Sequence, residues 1–335
     1  MILRKKEIKK MKERKEKVLI LEDINGKARE LFEEKGYEVD EIKKSLDDIE
    51  LMNIIGQYSV LCIRSKTKIT KEIIEKASKL KVIGAFCIGT NQIDLSECGK
   101  RDIRVFNAPF SNTRSVAELA IGEMIVLMRN IIQKNKEMQS GVWKKSSNNS
   151  NEIRGKKLGI IGYGNIGSQL SVLAEHMGLI VSYYDIQEKM KYGNATPCSL
   201  DQLLKESDII SVHIDGRTEN TNFISHREFE LMKDGVIFIN LSRGFVVNLD
   251  ALVHHLHLGK LRGVSLDVFP DEPSSSSSSS SSFSHSFSDF PNVILTPHIA
   301  GSTSEAQSHI ANFVPPLIIN YLEHGSTTYS VTSSS

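Results

Sequence analysis

The run Gly162-Tyr163-Gly164-Asn165-Ile166-Gly167 lies in mid-chain, directly behind the apolar stretch Leu158-Gly159-Ile160-Ile161. Glycine spacing of this kind is a weak signal alone, and the flanking residues decide what it means. A short run of buried-strand character leads in. A helical pattern (Ile166, Leu170, Leu173, Ala174, Met177) leads out. The next strand, Ile180-Val181-Ser182-Tyr183-Tyr184, closes on the acid Asp185. Strand, tight turn, helix, strand and acid is the order that a dinucleotide site requires, and it commits this part of the chain to an α/β sheet. Gly162 allows the turn, Gly164 lets the backbone approach a pyrophosphate, and Gly167 lets the helix pack close to the sheet. Free N–H groups at the helix start then face the negative charge. Asp185 is expected to accept hydrogen bonds from the adenosine ribose hydroxyls and to repel a 2′-phosphate. NAD is therefore favoured over NADP, with Lys189 and Lys191 a few residues on as a modest counterweight.

The loop starts so late that a substantial segment precedes it, and 335 residues suit about two domains. The formal net charge of +1 gives no reason to expect a polyanionic partner such as nucleic acid. Cys62, Cys87, Cys98 and Cys198 are scattered with no CxxC pair. That fits a reduced, cytoplasmic compartment better than a disulfide framework or a zinc site, and no metal is expected. No apolar run approaches the roughly 20 residues of a membrane span. From Arg4 to Lys17 the chain is dominated by Lys and Arg, interrupted by Glu7, Glu13 and Glu16. Without an apolar core this is no secretory signal, and the glutamates argue against a mitochondrial transit peptide. It reads as a solvated helical or frayed extension over residues 1–16, or alternatively as a weak contact for an anionic surface.

Three βα-type alternations precede the glycine loop. Their strands are Val18-Leu19-Ile20-Leu21, Val60-Leu61-Cys62-Ile63 and Val82-Ile83-Gly84-Ala85-Phe86, followed by a short strand at Val105-Phe106. Helices are expected through Ala28, Leu31 and Phe32, and from Thr70. Ser115-Val116-Ala117-Glu118 matches a capping box, and the helix behind it is expected to run to about Lys136 as a bridge between units. After the loop, strands recur at Ile209–Val212, Val236–Ile239, Val264–Asp267 and Val293–Leu295, with helices between, which is a Rossmann-type sheet. A last helix, from about Ser304 to Tyr321, follows the complete sheet and is a candidate to return to the first unit. The uninterrupted serine tract Ser274 to Ser282 reads as a low-complexity surface loop.

Three segments behind expected strands carry reactive side chains. They are Asn240-Leu241-Ser242-Arg243-Gly244, Asp267-Val268-Phe269-Pro270-Asp271-Glu272-Pro273 and Leu295-Thr296-Pro297-His298-Ile299-Ala300-Gly301-Ser302-Thr303. Ligands of open α/β sheets bind at the carboxyl ends of strands, so Arg243, Glu272 and His298 are expected to face one crevice beside the nicotinamide.

These segments, with Cys87-Ile88-Gly89-Thr90-Asn91-Gln92, the stretch from Phe106 to Leu119 and Gly155-Lys156-Lys157-Leu158-Gly159-Ile160-Ile161-Gly162-Tyr163-Gly164, carry a resemblance. From about Lys17 to Ser326 the chain resembles the D-isomer-specific 2-hydroxyacid dehydrogenases, and among them the phosphoglycerate-oxidising, bacterial-like subgroup. The resemblance implies two doubly wound Rossmann-like domains. The first is a flavodoxin-like, discontinuous substrate-binding domain over 17–107 and 299–335. The second is an NAD-binding Rossmann domain over 108–298, with the serine-rich loop at 274–288.

It also implies roles. His298 would be the general acid/base for the C2 hydroxyl, for which an imidazole's ordinary pKa suits it. Glu272 would orient His298 and stabilise its charged form. Arg243 would clamp the substrate carboxylate and polarise the C2 carbonyl. Asp267 would accept from the nicotinamide carboxamide, and Asn165 and Ile166 would lie along the pyrophosphate. Leu241, Ser242, Ala300 and Gly301 complete the implied cofactor set with Gly162, Gly164, Gly167 and Asp185. Phosphate recognition would come from Arg64, Ser65 and Lys66, with Ile88, Gly89 and Asn112 as further substrate contacts. Gly141-Val142-Trp143-Lys144-Lys145 resembles a segment that reaches a neighbouring subunit, which implies a homodimer with Lys145 adding charge near the partner's site.

The implied activity is NAD-dependent oxidation of 3-phosphoglycerate to 3-phosphohydroxypyruvate, the entry to serine synthesis. Reduction of 2-oxoglutarate is a second enzyme reading, because a carboxylate can replace the phosphate. Other 2-hydroxy acids (glycerate, lactate) stay open, as does an NAD(H)-sensing binding protein on the same fold. Three departures bear on this. Ile214-Asp215-Gly216 follows His213 where the family usually has a Pro after a short apolar residue. Phe245 stands where a small residue is common. The serine tract falls between Glu272 and His298. Many relatives continue into a small serine-binding C-terminal ACT domain, and no serine feedback through such a domain is expected here.

Overall fold

The computed structural model describes residues 16–273 and 285–332. The basic segment before Glu16 and the serine tract from Ser274 lie outside the described residues. Two compact units emerge: one runs to Asn112 and takes up the chain again from Thr303, and the other holds Thr113–Glu272 and the chain up to Ser302.

In the first unit β1 (Lys17–Leu21), β2 (Glu38–Ile42), β3 (Val60–Ile63), β4 (Val82–Ala85) and β5 (Arg104–Phe106) form a sheet in the order β2-β1-β3-β4-β5. Every pairing is parallel, and this is the flavodoxin-like order. Strands β1, β3 and β4 are almost wholly buried because both sheet faces are covered. Leu19, Leu21, Leu61 and Ile63 join a cluster with Leu51, Ile55, Ile73 and Ile74 on one face. Val18, Ile20, Val60 and Cys62 join Phe32, Ile310, Val314 and Ile318 on the other. The last three belong to the final helix, Ser304–His324, which returns to this sheet. Gly84 permits its close approach, since a Cβ there would lie 2.7 Å from Ile318 Cδ1. Beyond that helix the chain pairs with β5 through Val331 N to Val105 O (2.9 Å), covering an otherwise open edge. Strand β2 was not among the expected strands. It is an edge strand of sequence EVDEI with no fully buried residue, so its pattern lacks an apolar run.

In the second unit β6 (Lys157–Ile161), β7 (Ile180–Tyr184), β8 (Thr196–Pro197), β9 (Ile209–Val212), β10 (Val236–Asn240), β11 (Leu261–Leu266) and β12 (Val293–Leu295) form a parallel sheet. The order is β12-β11-β10-β9-β6-β7-β8, so the connection reverses between β6 and β9. That reversal opens the ligand crevice of a Rossmann sheet. Leu158, Ile160, Ile237 and Ile239 pack one face with Val116, Ala120, Met124, Leu170 and Ala174. Ile161, Ile210, Val236 and Phe238 pack the other with Phe229 and Leu252.

Two helix expectations are corrected here. The helix begins at Thr113, so Ser115 sits inside its first turn and is not its N-cap residue, and Glu118 accepts from Arg114 Nε. The helix also stops at Met128. Asn130 takes a left-handed conformation (φ 53°), which asparagine tolerates, and a second helix, Ile131–Gln139, starts behind it. No helix among the described residues is long and apolar enough to cross a membrane.

Candidate active site

Strand β6 runs into Gly162, whose φ of 93° belongs to glycine, and the fingerprint helix covers Asn165–His176. The glycines differ in what demands them. A Cβ at Gly167 would lie 2.1 Å from Gly162 O, and one at Gly162 2.5 Å from His213 O. A Cβ at Gly164 would meet no protein atom, so packing within the chain does not require glycine there. The free N–H groups of Asn165 and Ile166 begin a helix of ordinary length, which suits a pyrophosphate. Asp185 stands at the end of β7. Its carboxylate accepts from Tyr163 N (2.8 Å) and Gln187 N (2.9 Å), which ties the acid to the glycine loop and leaves lone pairs for ribose hydroxyls. Lys189 turns to Gln187 Oε1 (2.9 Å). These residues fit an NAD molecule.

The unusual loop after β9 has an internal logic. Asp215 accepts from Arg217 Nε (2.8 Å) and Asn220 Nδ2 (2.9 Å), and Ile214 packs against Gly162. The Arg217 pairing holds the Asp215 carboxyl below its usual range against the opposing effect of burial. Burial pushes the His213 imidazole down to about 4, so it is neutral, and its Nε2 shares a hydrogen with Ser211 Oγ (2.8 Å). Phe245, the second departure, packs against the core cluster that includes Phe238.

Arg243, Glu272 and His298 follow β10, β11 and β12, three neighbouring strands, and the structure brings them together at their carboxyl ends. His298 Nδ1 lies 2.7 Å from Glu272 Oε2. Glu272 Oε1 accepts from Phe269 N (3.2 Å). Burial raises the Glu272 carboxyl, but the His298 hydrogen bond and charge, the Phe269 N–H and the Arg243 charge together hold it below its ordinary value. With Nδ1 committed to the carboxylate, Nε2 is the nitrogen left for substrate. The His298 side chain is 45 % exposed. Arg243 is half-buried and donates to Ser242 O (2.7 Å).

Two residues organise this group in ways that the motifs alone do not reveal. Asp267 is 0 % exposed. Its carboxylate accepts from Thr296 Oγ1, Ile299 N and Ala300 N, and its carbonyl accepts from His298 N (2.8 Å). The acid thus holds the turn that carries His298, whose own φ is 55°. Asn240 does the same for Arg243. Its Oδ1 accepts from Ser242 N (3.0 Å) and Ser242 Oγ (2.7 Å), and its Nδ2 donates to Arg243 O (3.0 Å). A polar residue ending an apolar strand is the only signal the sequence offers for it. Glu123 is a further surprise, buried on the apolar face of the Thr113–Met128 helix. Burial, reinforced by the Asp267 charge, pushes its carboxyl up to about 7. Leu241, Ser242 and Ala300 are buried within the same turns, and Gly301 is partly exposed beside them.

The remaining expected residues divide by unit. In the first unit Arg64, Ser65 and Lys66 form the loop after β3. Ile88 and Gly89 follow β4, and the two loops meet where Gln92 Nε2 donates to Arg64 O (2.7 Å). Asn107 Nδ2 donates to Ile88 O (2.6 Å). Asn112 ends the first stretch of this unit with its Oδ1 buried and unpartnered. Lys145 belongs to the second unit, in an exposed segment that includes Trp143 at 80 % exposure, and does not join its triad.

Known proteins share this chain's sequence and fold. Residues 121–300 match the model of the D-isomer specific 2-hydroxyacid dehydrogenase NAD binding domain. The chain is 47 % identical to D-3-phosphoglycerate dehydrogenase of Haemophilus influenzae, over 94 % of this chain and 77 % of that protein. It is 46 % identical to D-3-phosphoglycerate dehydrogenase 1 of Saccharomyces cerevisiae, over 94 % and 68 % respectively. Among solved structures, a D-lactate dehydrogenase from Aquifex aeolicus in complex with NAD and lactic acid superposes with a TM-score of 0.83 at 27 % identity, covering 95 % of this chain and 100 % of that one.

Proposed function

This chain belongs to the D-isomer-specific 2-hydroxyacid dehydrogenase family, and on that premise we propose that it oxidises 3-phosphoglycerate to 3-phosphohydroxypyruvate with NAD as acceptor, the entry step of serine synthesis. The observation that carries the chemistry is the 2.7 Å contact of His298 Nδ1 with Glu272, which joins the turns after the neighbouring strands β12 and β11. Bound NAD supplies the hydride acceptor. Arg243 clamps the substrate carboxylate and polarises the oxygen on C2. His298 Nε2 takes the C2 hydroxyl proton, and Glu272 stabilises the imidazolium that results. Asp185 favours the cofactor without a 2′-phosphate. Arg64 and Lys66 hold the substrate's phosphate, with Ser65, Ile88, Gly89 and Asn112 as its other contacts.

The test is NADH formation with 3-phosphoglycerate, D-glycerate, D-lactate and D-2-hydroxyglutarate supplied in turn. 3-Phosphoglycerate is expected to give the highest kcat/KM. Turnover of glycerate or lactate with no phosphoglycerate-dependent signal would refute the assignment.

The working form is a homodimer, assembled through the segment around Trp143. Exposed Met138, Val142 and Trp143 fall within a few residues, the kind of apolar anchor that protein contacts use. Lys145 then brings positive charge toward the partner's site. Sedimentation at working concentration is expected to give twice the 37.4 kDa chain mass, and a single monomeric species would rule this out. The free cysteines fit a reducing, cytosolic setting.

A further inference from the structure

The first unit contains a carboxylate whose placement the reaction does not explain. Glu22 is the residue directly after β1, at the point where the order of the first sheet reverses between β1 and β3. It is 6 % exposed, and its φ is 65°, a left-handed conformation that costs a non-glycine residue conformational energy. Its backbone is fixed there, with Glu22 N donating to Ile42 O (3.1 Å) and Lys44 O (3.3 Å).

Both side-chain oxygens are spent on one loop. Oε2 accepts from Lys66 N (3.0 Å) and Oε1 from Thr67 N (2.8 Å). The same loop is held at its start by Gln92 Nε2 on Arg64 O (2.7 Å), with Cys87 Sγ also facing that carbonyl (3.6 Å). Thr67 is buried, whereas Ser65 and Lys66 are exposed and Arg64 is half-exposed. Among the described residues neither Arg64 nor Lys66 enters an ion pair. The loop is therefore pinned by its backbone at both ends while its two cationic side chains stay available.

A carboxylate suits this task for two reasons. It offers an acceptor to each of two adjacent N–H groups, and charge-assisted bonds are the stronger kind. Its negative charge also offsets the mutual repulsion of Arg64 and Lys66 on one short loop. An amide in its place has a single oxygen and no charge, and would leave one N–H without its partner. Strain of this kind persists where the surroundings over-determine it, and it concentrates at functional sites.

We propose that Glu22 is a positioning residue for substrate recognition: it fixes the 64–67 backbone so that Arg64 and Lys66 meet the substrate's phosphate in one set geometry. This rests on the reading above that the loop binds that phosphate. The proposal goes beyond it by assigning the precision of binding to a buried acid that does not touch substrate.

The experiment compares Glu22→Gln and Arg64→Ala with the parent enzyme. In Glu22→Gln the KM for 3-phosphoglycerate is expected to rise about 10-fold, within the roughly 100-fold that ~1 Å of misplacement costs. The KM for NAD and turnover of D-glycerate, which lacks the phosphate, stay within about 2-fold of the parent, a split that general loss of structure would not produce. Hydrogen exchange at the Lys66 and Thr67 amides accelerates in the same variant. An unchanged KM for 3-phosphoglycerate, or an equal loss for D-glycerate, overturns the proposal. Arg64→Ala tests the underlying reading separately, because an unchanged KM for 3-phosphoglycerate in that variant removes the loop from phosphate binding whatever Glu22→Gln does. Should Glu22→Gln not fold, Glu22→Asp carries the same measurements, since it keeps the charge but falls one methylene short of the two amides.

Discussion

Replacing His298 by asparagine is expected to lower kcat by about 10²–10⁴-fold, the range that removal of a general base produces. Asparagine is a better choice than alanine because residue 298 has a φ of 55°, and asparagine is among the few residues that occupy that region readily. The turn should survive the change. Its N–H bond to Asp267 O and the Ile299 and Ala300 N–H bonds to the Asp267 carboxylate all come from the backbone. NAD affinity is thus expected to stay within about 2-fold, and the loss to fall on kcat for the chemical step. The two quantities are separable by steady-state kinetics and by titration of NADH fluorescence. Retained turnover would remove His298 from the proton transfer.

Gly244→Ala is expected to be the most damaging single-methyl change near the site. A Cβ at Gly244 would lie 1.9 Å from Phe269 C and 2.3 Å from Phe269 O. Both are backbone atoms, so no rotamer change relieves the overlap. Relief requires the turns after β10 and β11 to separate, and these carry Arg243 on one side and Asp267 and Glu272 on the other. Overpacking against backbone belongs among the exceptional substitutions, roughly 4 kcal/mol or more. At about 2–4 °C per kcal/mol for a unit of this size, the melting temperature should fall by about 10 °C or more. Activity should fall at least ~10²-fold in whatever remains folded. Gly164→Ala is the control, because that Cβ meets no protein atom. It should leave the melting temperature of the unliganded protein within about 2 °C and weaken NAD binding instead. A Gly244→Ala variant that melts with the parent would show that the two turns are less tightly apposed than described.

The sequence disclosed the elements whose information is local. Ile209–Val212 and Val293–Leu295 are short apolar runs bounded by polar residues, and their limits coincide with β9 and β12. The fingerprint could be placed because its glycines act on neighbours a few residues away. Strand β2 stayed hidden because its acidic, half-exposed residues give no period, and it exists only because β1 offers a pairing edge. The break at Asn130 was hidden for the opposite reason, an apolar pattern that continues across it in Ile131 and Ile132 while the backbone reverses hand. Arg243, Glu272 and His298 were legible as reactive types in motif order. The residues that hold the turn of His298 and, in the first unit, the 64–67 loop were not. Asp267 meets donors about thirty positions away, Glu22 meets amides more than forty away, and nothing in a linear pattern links such partners.

The return of the last helix to the first sheet has a consequence for how this chain is made. The residues of that sheet leave the ribosome before the rest of the described chain. Yet Val18, Ile20, Val60 and Cys62 are covered in part by Ile310, Val314 and Ile318, which leave it about 250 residues later or more. The second unit lacks this dependence and has all its strands by Leu295. The order of synthesis and the order of completion are therefore inverted. During that interval one apolar face of the earlier-made sheet lacks part of its cover. A chain cut before Ser304 never leaves that condition, however sound its dinucleotide fold.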